Sequence, residues 1–270
     1  MKILLNNNDL NEALSKIKNL GFVPTMGSLH KGHISLIKRS KKECNKTIVS
    51  IFVNPRQFND KNDFKKYPRD RKKDLIILKK LNVNFVFIPK INQIYNSKKM
   101  TKIKIEKKNQ ILCAKFRKGH FEGVIDVMDR LTNLIKPKKI FMGEKDYQQF
   151  YLVKKYLNKK YSLKMIQCKT IRDKNGIALS SRNLLLNKKK LFKAGKFIKD
   201  LMNLRNKYSK YNNFNKMLDF KKKQFSKLYK IKIEYLELRN LYNLKLSKKI
   251  KNSKIFVAFY LNKVRLIDNI

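Results

Sequence analysis

Two rhythms of apolar residues alternate along the chain. One is short and continuous: Phe22-Val23, Thr47–Val53, Val83–Ile88 and Ile140–Met142 are rich in β-branched and aromatic residues, as expected of strands buried on both faces, and Lys164–Thr170 is read as a further strand. The other has helical spacing. Leu10, Leu14, Ile17 and Leu20 follow Asp9, which the pattern marks as an N-cap, so a helix is expected over this stretch. Ile34, Leu36 and Ile37 begin a second helix that runs to about Cys44, Asp74–Leu81 form a third, and residues 123–135 and 145–157 two more. Lys102–Glu106 alternates and is compatible with a short strand.

Strands alternating with helices imply right-handed crossovers and a parallel sheet, an α/β fold. From residue 171 the pattern changes to a polar turn, Asp173-Lys174-Asn175-Gly176, then helical stretches to about residue 229 and closing strands at Ile233–Leu238, Ile255–Leu261 and Val264–Ile267. The expected organisation is a catalytic domain over residues 1–170 and a smaller α+β lid domain over 171–270.

In a parallel sheet the ligand crevice lies beyond the carboxyl ends of the strands. Three polar segments follow predicted strands: Pro24–His33, Asn54–Phe58 and Gly143–Asp146. In the first, Gly27 and Gly32 permit close backbone approach, a strand-to-helix turn offers unpaired N–H groups, and His30 and His33 are spaced to face one pocket. Phosphate is the natural guest, although an isolated H-x-x-H equally fits a polar surface turn. Lys145 supplies a mobile charge for phosphate oxygens and Asp146 an acceptor for ribose hydroxyls; the same pair fits a solvated helix start. Ser180, Ser181 and Arg182 form a donor set for outer phosphates or, alternatively, a capping turn. Asn54 and Gln57 suit recognition of a carboxylate or hydroxyl, or simply the polarity of a strand-end turn.

Composition narrows the field. The 270-residue chain is 42% hydrophobic, enough for a sizeable core. Its 67 Lys and Arg against 19 Asp and Glu give a formal charge of +48. The lysines are spread along the chain and no zinc-finger, basic-zipper or RNP pattern accompanies them, so no specific nucleic-acid partner is expected. Cys44, Cys113 and Cys168 are far apart and form no C-x-x-C, which supports neither a disulfide framework nor a zinc site and fits a cytoplasmic location. Ile3-Leu4-Leu5 is too short for a signal-peptide core, and no run reaches membrane-spanning length, so no membrane partner is expected. Neither a G-x-x-x-x-G-K-[ST] loop nor a G-x-G-x-x-G fingerprint occurs. What remains is an enzyme that binds a nucleoside triphosphate with imidazoles, a lysine, serines and an arginine.

The blocks P-T-M-G-S-L-H-K-G-H, V-S-I-F-V-N-P-R-Q-F, R-K-G-H-F-E-G-V, F-M-G-E-K-D-Y-Q-Q, L-S-S-R-N and V-R-L-I-D-N, in this order, resemble the pantothenate synthetase (pantoate–β-alanine ligase) family of H-x-G-H nucleotidyltransferases. The resemblance spans nearly the whole chain. It implies a Rossmann-like N-terminal domain, a homodimer, and Mg²⁺-supported use of ATP to join pantoate to β-alanine. It further implies that Met26, Gly27, Ser28, Leu29, His30, Lys31, Gly32 and His33 line ATP, with Gly143, Glu144, Lys145, Asp146, Ile171, Leu179, Ser180, Ser181 and Arg182. His33, His30 and Lys145 would be catalytic, and Gln57, Gln149 and Asn54 would bind pantoate and β-alanine; no protein metal ligands are implied. Lys118, Asp70, Asp126, Leu179 and Asn262 depart from the family's usual proline, threonine, threonine, methionine and glycine. Asp126 is the departure of most consequence, because a carboxylate facing the pantoate carboxylate would weaken binding.

Overall fold

The computed structural model describes residues 1–95, 103–208 and 213–270. They divide into two compact units, Met1–Glu144 with Gln149–Lys169, and Lys145–Gln148 with Thr170–Ile270.

The first unit is built on six strands: β1 (Lys2–Leu4), β2 (Leu20–Thr25), β3 (Lys46–Ile51), β4 (Phe85–Phe87), β5 (Lys139–Gly143) and β6 (Lys164–Cys168). They are parallel and ordered β1-β4-β3-β2-β5-β6. Their apolar runs have the expected cause: Phe22, Ile48, Val49, Val86 and Phe141 are buried, as a parallel sheet requires of its strands.

Chain direction across the sheet reverses beside β2. The helix Lys31–Glu43 carries the chain from β2 to β3 on one side, while β5 lies on the other. β2 pairs with β3 along its whole length but with β5 only at Gly21 and Phe22. Pro24 has no N–H to donate, so it sits without penalty where the ladder toward β5 has ended. The sheet therefore opens just before the histidine turn, at the kind of switch point where open α/β sheets hold ligands.

Three local expectations need correction. The first helix is Asn7–Leu14, capped by Asn6, whose side chain accepts from the Asp9 N–H at 2.9 Å; Asp9 lies inside the first turn. Leu20 belongs to β2. Residues 103–106 are irregular and form no strand, and Lys102 falls outside the described residues.

The second unit packs the helices Lys188–Lys207 and Phe214–Leu228 on an antiparallel sheet of β7 (Lys232–Asn240), β8 (Ser253–Leu261) and β9 (Val264–Asn269). Phe197, Phe214 and Phe259 fill its core. Asn262 takes φ 54° in the two-residue turn between β8 and β9. Asparagine tolerates that left-handed position, which accounts for its standing at a usual glycine. Asp70, where the family resemblance implies threonine, caps the helix Arg71–Lys80, its carboxylate accepting from the Lys73 N–H at 3.0 Å.

Near the end of the chain, Asp268 receives a two-pronged pair from Arg172, at 2.6 and 3.0 Å, and is buried. Asp268→Ala strands that guanidinium, and chemical denaturation is expected to show a loss of about 3 kcal/mol.

Candidate functional site

The residues after β2 form a turn fixed from within. The Thr25 hydroxyl donates to the Ser50 carbonyl at 2.7 Å and accepts from the Gly27 N–H at 3.1 Å. Asp74, on the helix Arg71–Lys80, then accepts from the N–H groups of Ser28 and Leu29 at 2.8 and 2.7 Å. The amides expected to point at a ligand are, at these three positions, bonded inside the protein. Gly27 has φ 80°, and a Cβ there would lie 2.8 Å from the Asp74 carboxylate, so the turn and its acid require glycine. Asp74 is 2% exposed. Burial pushes its carboxyl above the ordinary aspartate range, with the two backbone bonds pulling the other way.

His30 is the N-cap of the helix Lys31–Glu43 and His33 occupies its first turn. His30 Nδ1 accepts from the Gly32 N–H at 3.1 Å, and His33 Nδ1 accepts from the His30 N–H at 3.4 Å. Because both Nδ1 atoms accept, the hydrogen-bond network places the proton of each neutral ring on Nε2. The ring centroids are 4.1 Å apart, so the two imidazoles lie against each other. Gly32 makes room for this arrangement: a Cβ there would lie 2.8 Å from His30 Cε1 and 2.9 Å from Nδ1.

After β3, Asn54 is buried and caps the short turn Pro55–Gln57 by accepting from the Arg56 N–H at 3.1 Å. Its amide donates to Gln57 Oε1 at 3.3 Å and to the Gly123 carbonyl at 3.0 Å. Gln57 Nε2 reaches Met26 Sδ at 2.8 Å, which brings this turn and the histidine turn side by side. The Gln57 carbonyl accepts from His120 Nδ1 at 2.7 Å and from Arg117 at 3.3 Å. His120 is thus a buried support, its Nε2 lying 2.9 Å from the Arg117 guanidinium. The Lys118 carbonyl accepts from the Asn59 amide, a main-chain contact that does not depend on the residue being proline. Asp126 does not project an unpaired charge. Arg56 and Arg130 bind its two oxygens at 2.9 and 2.7 Å.

Gly143 ends β5 with no atom within 4 Å of where a Cβ would stand, leaving open space at the strand end, and Glu144 follows, half-buried. Gln149 is half-buried in the first turn of the helix Tyr147–Lys160.

The second unit holds the remaining candidates. Lys145 pairs with Asp146 at 3.2 Å, and the Lys145 carbonyl accepts from Asn269 Nδ2 at 2.8 Å. Ile171 and Leu179 face each other across a hairpin, the Leu179 N–H donating to the Ile171 carbonyl at 2.9 Å. Asp173 and Gly176 (φ 90°) form the bend. Ser180 Oγ caps the turn Ser181–Leu185 by accepting from the Arg182 N–H at 3.3 Å. The V-R-L-I-D-N block thereby gains a structural role: Asp268 fixes Arg172 beside Ile171, and Asn269 fixes Lys145.

These features define a parallel α/β protein with a histidine-bearing turn at the opening of its sheet. The chain belongs to the pantoate-beta-alanine ligase family, whose model matches residues 2–270. A pantothenate synthetase of Pseudothermotoga lettingae is 40% identical over 95% of this chain and 92% of its own. One of Azobacteroides pseudotrichonymphae is also 40% identical, over 100% and 99%. The crystal structure of pantothenate synthetase from Thermus thermophilus superimposes with a TM-score of 0.93 at 30% identity, covering 100% of this chain and 99% of that one. The pantoate-beta-alanine ligase of Francisella tularensis, crystallised with beta-gamma ATP and beta-alanine, gives a TM-score of 0.85 at 36% identity over 100% and 97%.

Asp74 escapes sequence reasoning because it looks like one more charge in Arg-Lys-Lys-Asp. The available signal is its spacing four residues before the buried Leu78, which puts a carboxylate on the apolar face of its helix. Asp74→Asn must turn an NH₂ toward one of the two amides, and denaturation is expected to register a loss of about 1–3 kcal/mol. The raised pKa sets the sign with pH: the cost of keeping this carboxylate ionised is present at neutral pH and is relieved as pH falls through the raised value. The Asn variant lacks that dependence, so its stability relative to the wild type should change with pH only across the range in which Asp74 titrates. Gly32→Ala displaces the His30 ring and should lower turnover about 10²-fold with little change in the unfolding midpoint, as measured by steady-state assay and calorimetry.

Proposed function

We propose that this protein condenses pantoate with β-alanine at the expense of ATP, giving pantothenate, AMP and pyrophosphate through a pantoyl-adenylate intermediate. Family membership over the full chain supports the reaction. The observation that carries the chemistry is the pair of imidazoles whose Nδ1 atoms are occupied by main-chain N–H groups.

In the first step a pantoate carboxylate oxygen attacks the α-phosphorus and the bond to pyrophosphate breaks. Negative charge spreads over the phosphate oxygens, and donors already oriented toward them stabilise it without reorganisation. His30 and His33 Nε2–H are assigned this role, with Gly27 to Gly32 shaping the turn that holds them. In the second step the β-alanine amine attacks the activated carbonyl, AMP leaves, and the amine loses a proton. Gln57, fixed by Asn54 and Met26, is assigned to pantoate, with Gln149 as a further contact and Asn54 as the residue that sets Gln57. Within the second unit, Lys145 supplies cationic charge, and Ser180, Ser181 and Arg182 supply a donor set suited to nucleotide phosphates. Glu144, Asp146, Ile171 and Leu179 are assigned to the nucleoside portion.

Among the described residues no group of three or more His, Cys, Asp or Glu side chains is gathered for a metal. The family resemblance implies Mg²⁺ carried on the phosphates of ATP, a mode that asks few carboxylates of the protein. When bound there it neutralises phosphate charge. Homodimer formation is carried over from the family resemblance. No described helix is long and apolar enough to cross a membrane, and three buried free thiols suit a reducing, cytoplasmic setting.

The test is pyrophosphate exchange into ATP without β-alanine. Wild-type exchange is expected to require pantoate, and exchange that ignores pantoate would contradict the assignment. His33→Ala should reduce the exchange rate by about 10²–10³-fold while the circular dichroism spectrum stays unchanged.

A further inference from the structure

The turn that carries Gln57 is held from outside by a charged cluster that the reaction chemistry does not use. Arg56 occupies the middle of this turn. Its guanidinium lies 3.8 Å from the centroid of the Tyr95 ring and donates to Asp126 Oδ2 at 2.9 Å. The Tyr95 hydroxyl donates to Asn54 Oδ1 at 2.8 Å, and the Asn54 amide donates to Gln57 Oε1 at 3.3 Å. The contacts close a ring that leaves the turn through the Arg56 side chain and re-enters it through Asn54. Arg130 braces the ring from behind, donating to Asp126 Oδ1 at 2.7 Å and to the Ile94 carbonyl at 3.3 Å, beside Tyr95.

We infer that Asp126 is a positioning residue for pantoate recognition: it fixes Arg56 on Tyr95 and thereby sets the Asn54–Gln57 turn. This rests on the assignment of Gln57 to pantoate. Three features favour it over a merely local ion pair. The Asp126 side chain is only 10% exposed, so its charge is poorly screened and holds both guanidiniums strongly. Gly123, one helical turn before Asp126, stands so close that a Cβ would come within 2.2 Å of the Arg56 carbonyl, so helix and turn abut directly. Burial keeps the Tyr95 phenol protonated, so it remains a donor to Asn54. The cluster of Arg56, Asp126 and Arg130 also carries one net positive charge, which suits a carboxylate substrate.

Asp126→Asn and Tyr95→Phe are shape-preserving tests. The first removes the charge between the two arginines, and the second removes the bond to Asn54 while keeping the ring under Arg56. Each should raise the KM for pantoate about tenfold and leave the KM for ATP within about twofold. Their effects should be less than additive in the double variant, because both act on one turn. Hydrogen exchange provides a readout independent of substrate. The amides of Arg56 and Phe58, bonded to Asn54 Oδ1 and to the Pro55 carbonyl, should exchange faster in both variants, while Ser28 and Leu29 keep wild-type protection. Unchanged exchange at residues 56 and 58, an equal rise in both KM values, or additive effects would each overturn the inference. Wild-type catalysis indifferent to pantoate would instead remove the substrate assignment, a failure told apart by accelerated exchange in the variants.

Discussion

A buried carboxylate bonded to two backbone amides is the constraint on which the first unit's site depends. A chain that leaves a strand and bends into a helix has N–H groups to satisfy. In this protein Asp74 and the Thr25 hydroxyl take those of Gly27, Ser28 and Leu29. The consequence is chemical as well as mechanical. In the proposed reaction, phosphate recognition passes from main-chain amides, the usual donors of glycine-rich loops, to imidazole N–H groups whose protons are placed by the same turn. Asp74 is therefore linked to the histidines through the backbone they share.

The strands of the parallel sheet are readable in the sequence because burial on both faces forces continuous apolar runs, and the glycine and histidine motifs are readable because their residue types are rare in this chain. Other features are not, for definite reasons. β1 has three residues and pairs only with β4, too little to leave a pattern. The N-cap of the first helix is missed by three positions, since an asparagine run and an aspartate both carry capping chemistry. Asp74 and Asp126 act through partners 45 and 70 residues away; helical spacing can put such an acid on an apolar face, as it does Asp74 before Leu78, but it does not name the distant partner. The support of Gln57 by His120 and Arg117 is hidden in the same way.

The strong basic bias acquires a different meaning beside these contacts. With only 19 acidic residues in the chain, several are spent internally: Asp74 on amides, Asp126 on two arginines, Asp129 on Lys160 and Tyr161, and Asp268 on Arg172. Lysine is free to accumulate where water solvates it. An acid inside cannot be exchanged for a base in the same way, because its oxygens are the acceptors on which neighbouring groups depend.

The Arg56–Asp126–Arg130 cluster also constrains the order in which such a sequence can be assembled by single substitutions. Arg56 keeps 35% of its side chain exposed and is solvated with or without an anion beside it. An aspartate entering position 126 first would meet burial with no counter-ion. The passable route places a cation before the anion, and once both are present the anion's partners cannot be lost without leaving its charge buried and uncompensated. A pair of this kind works as a ratchet in sequence space, tying the chain to a charged brace at position 126.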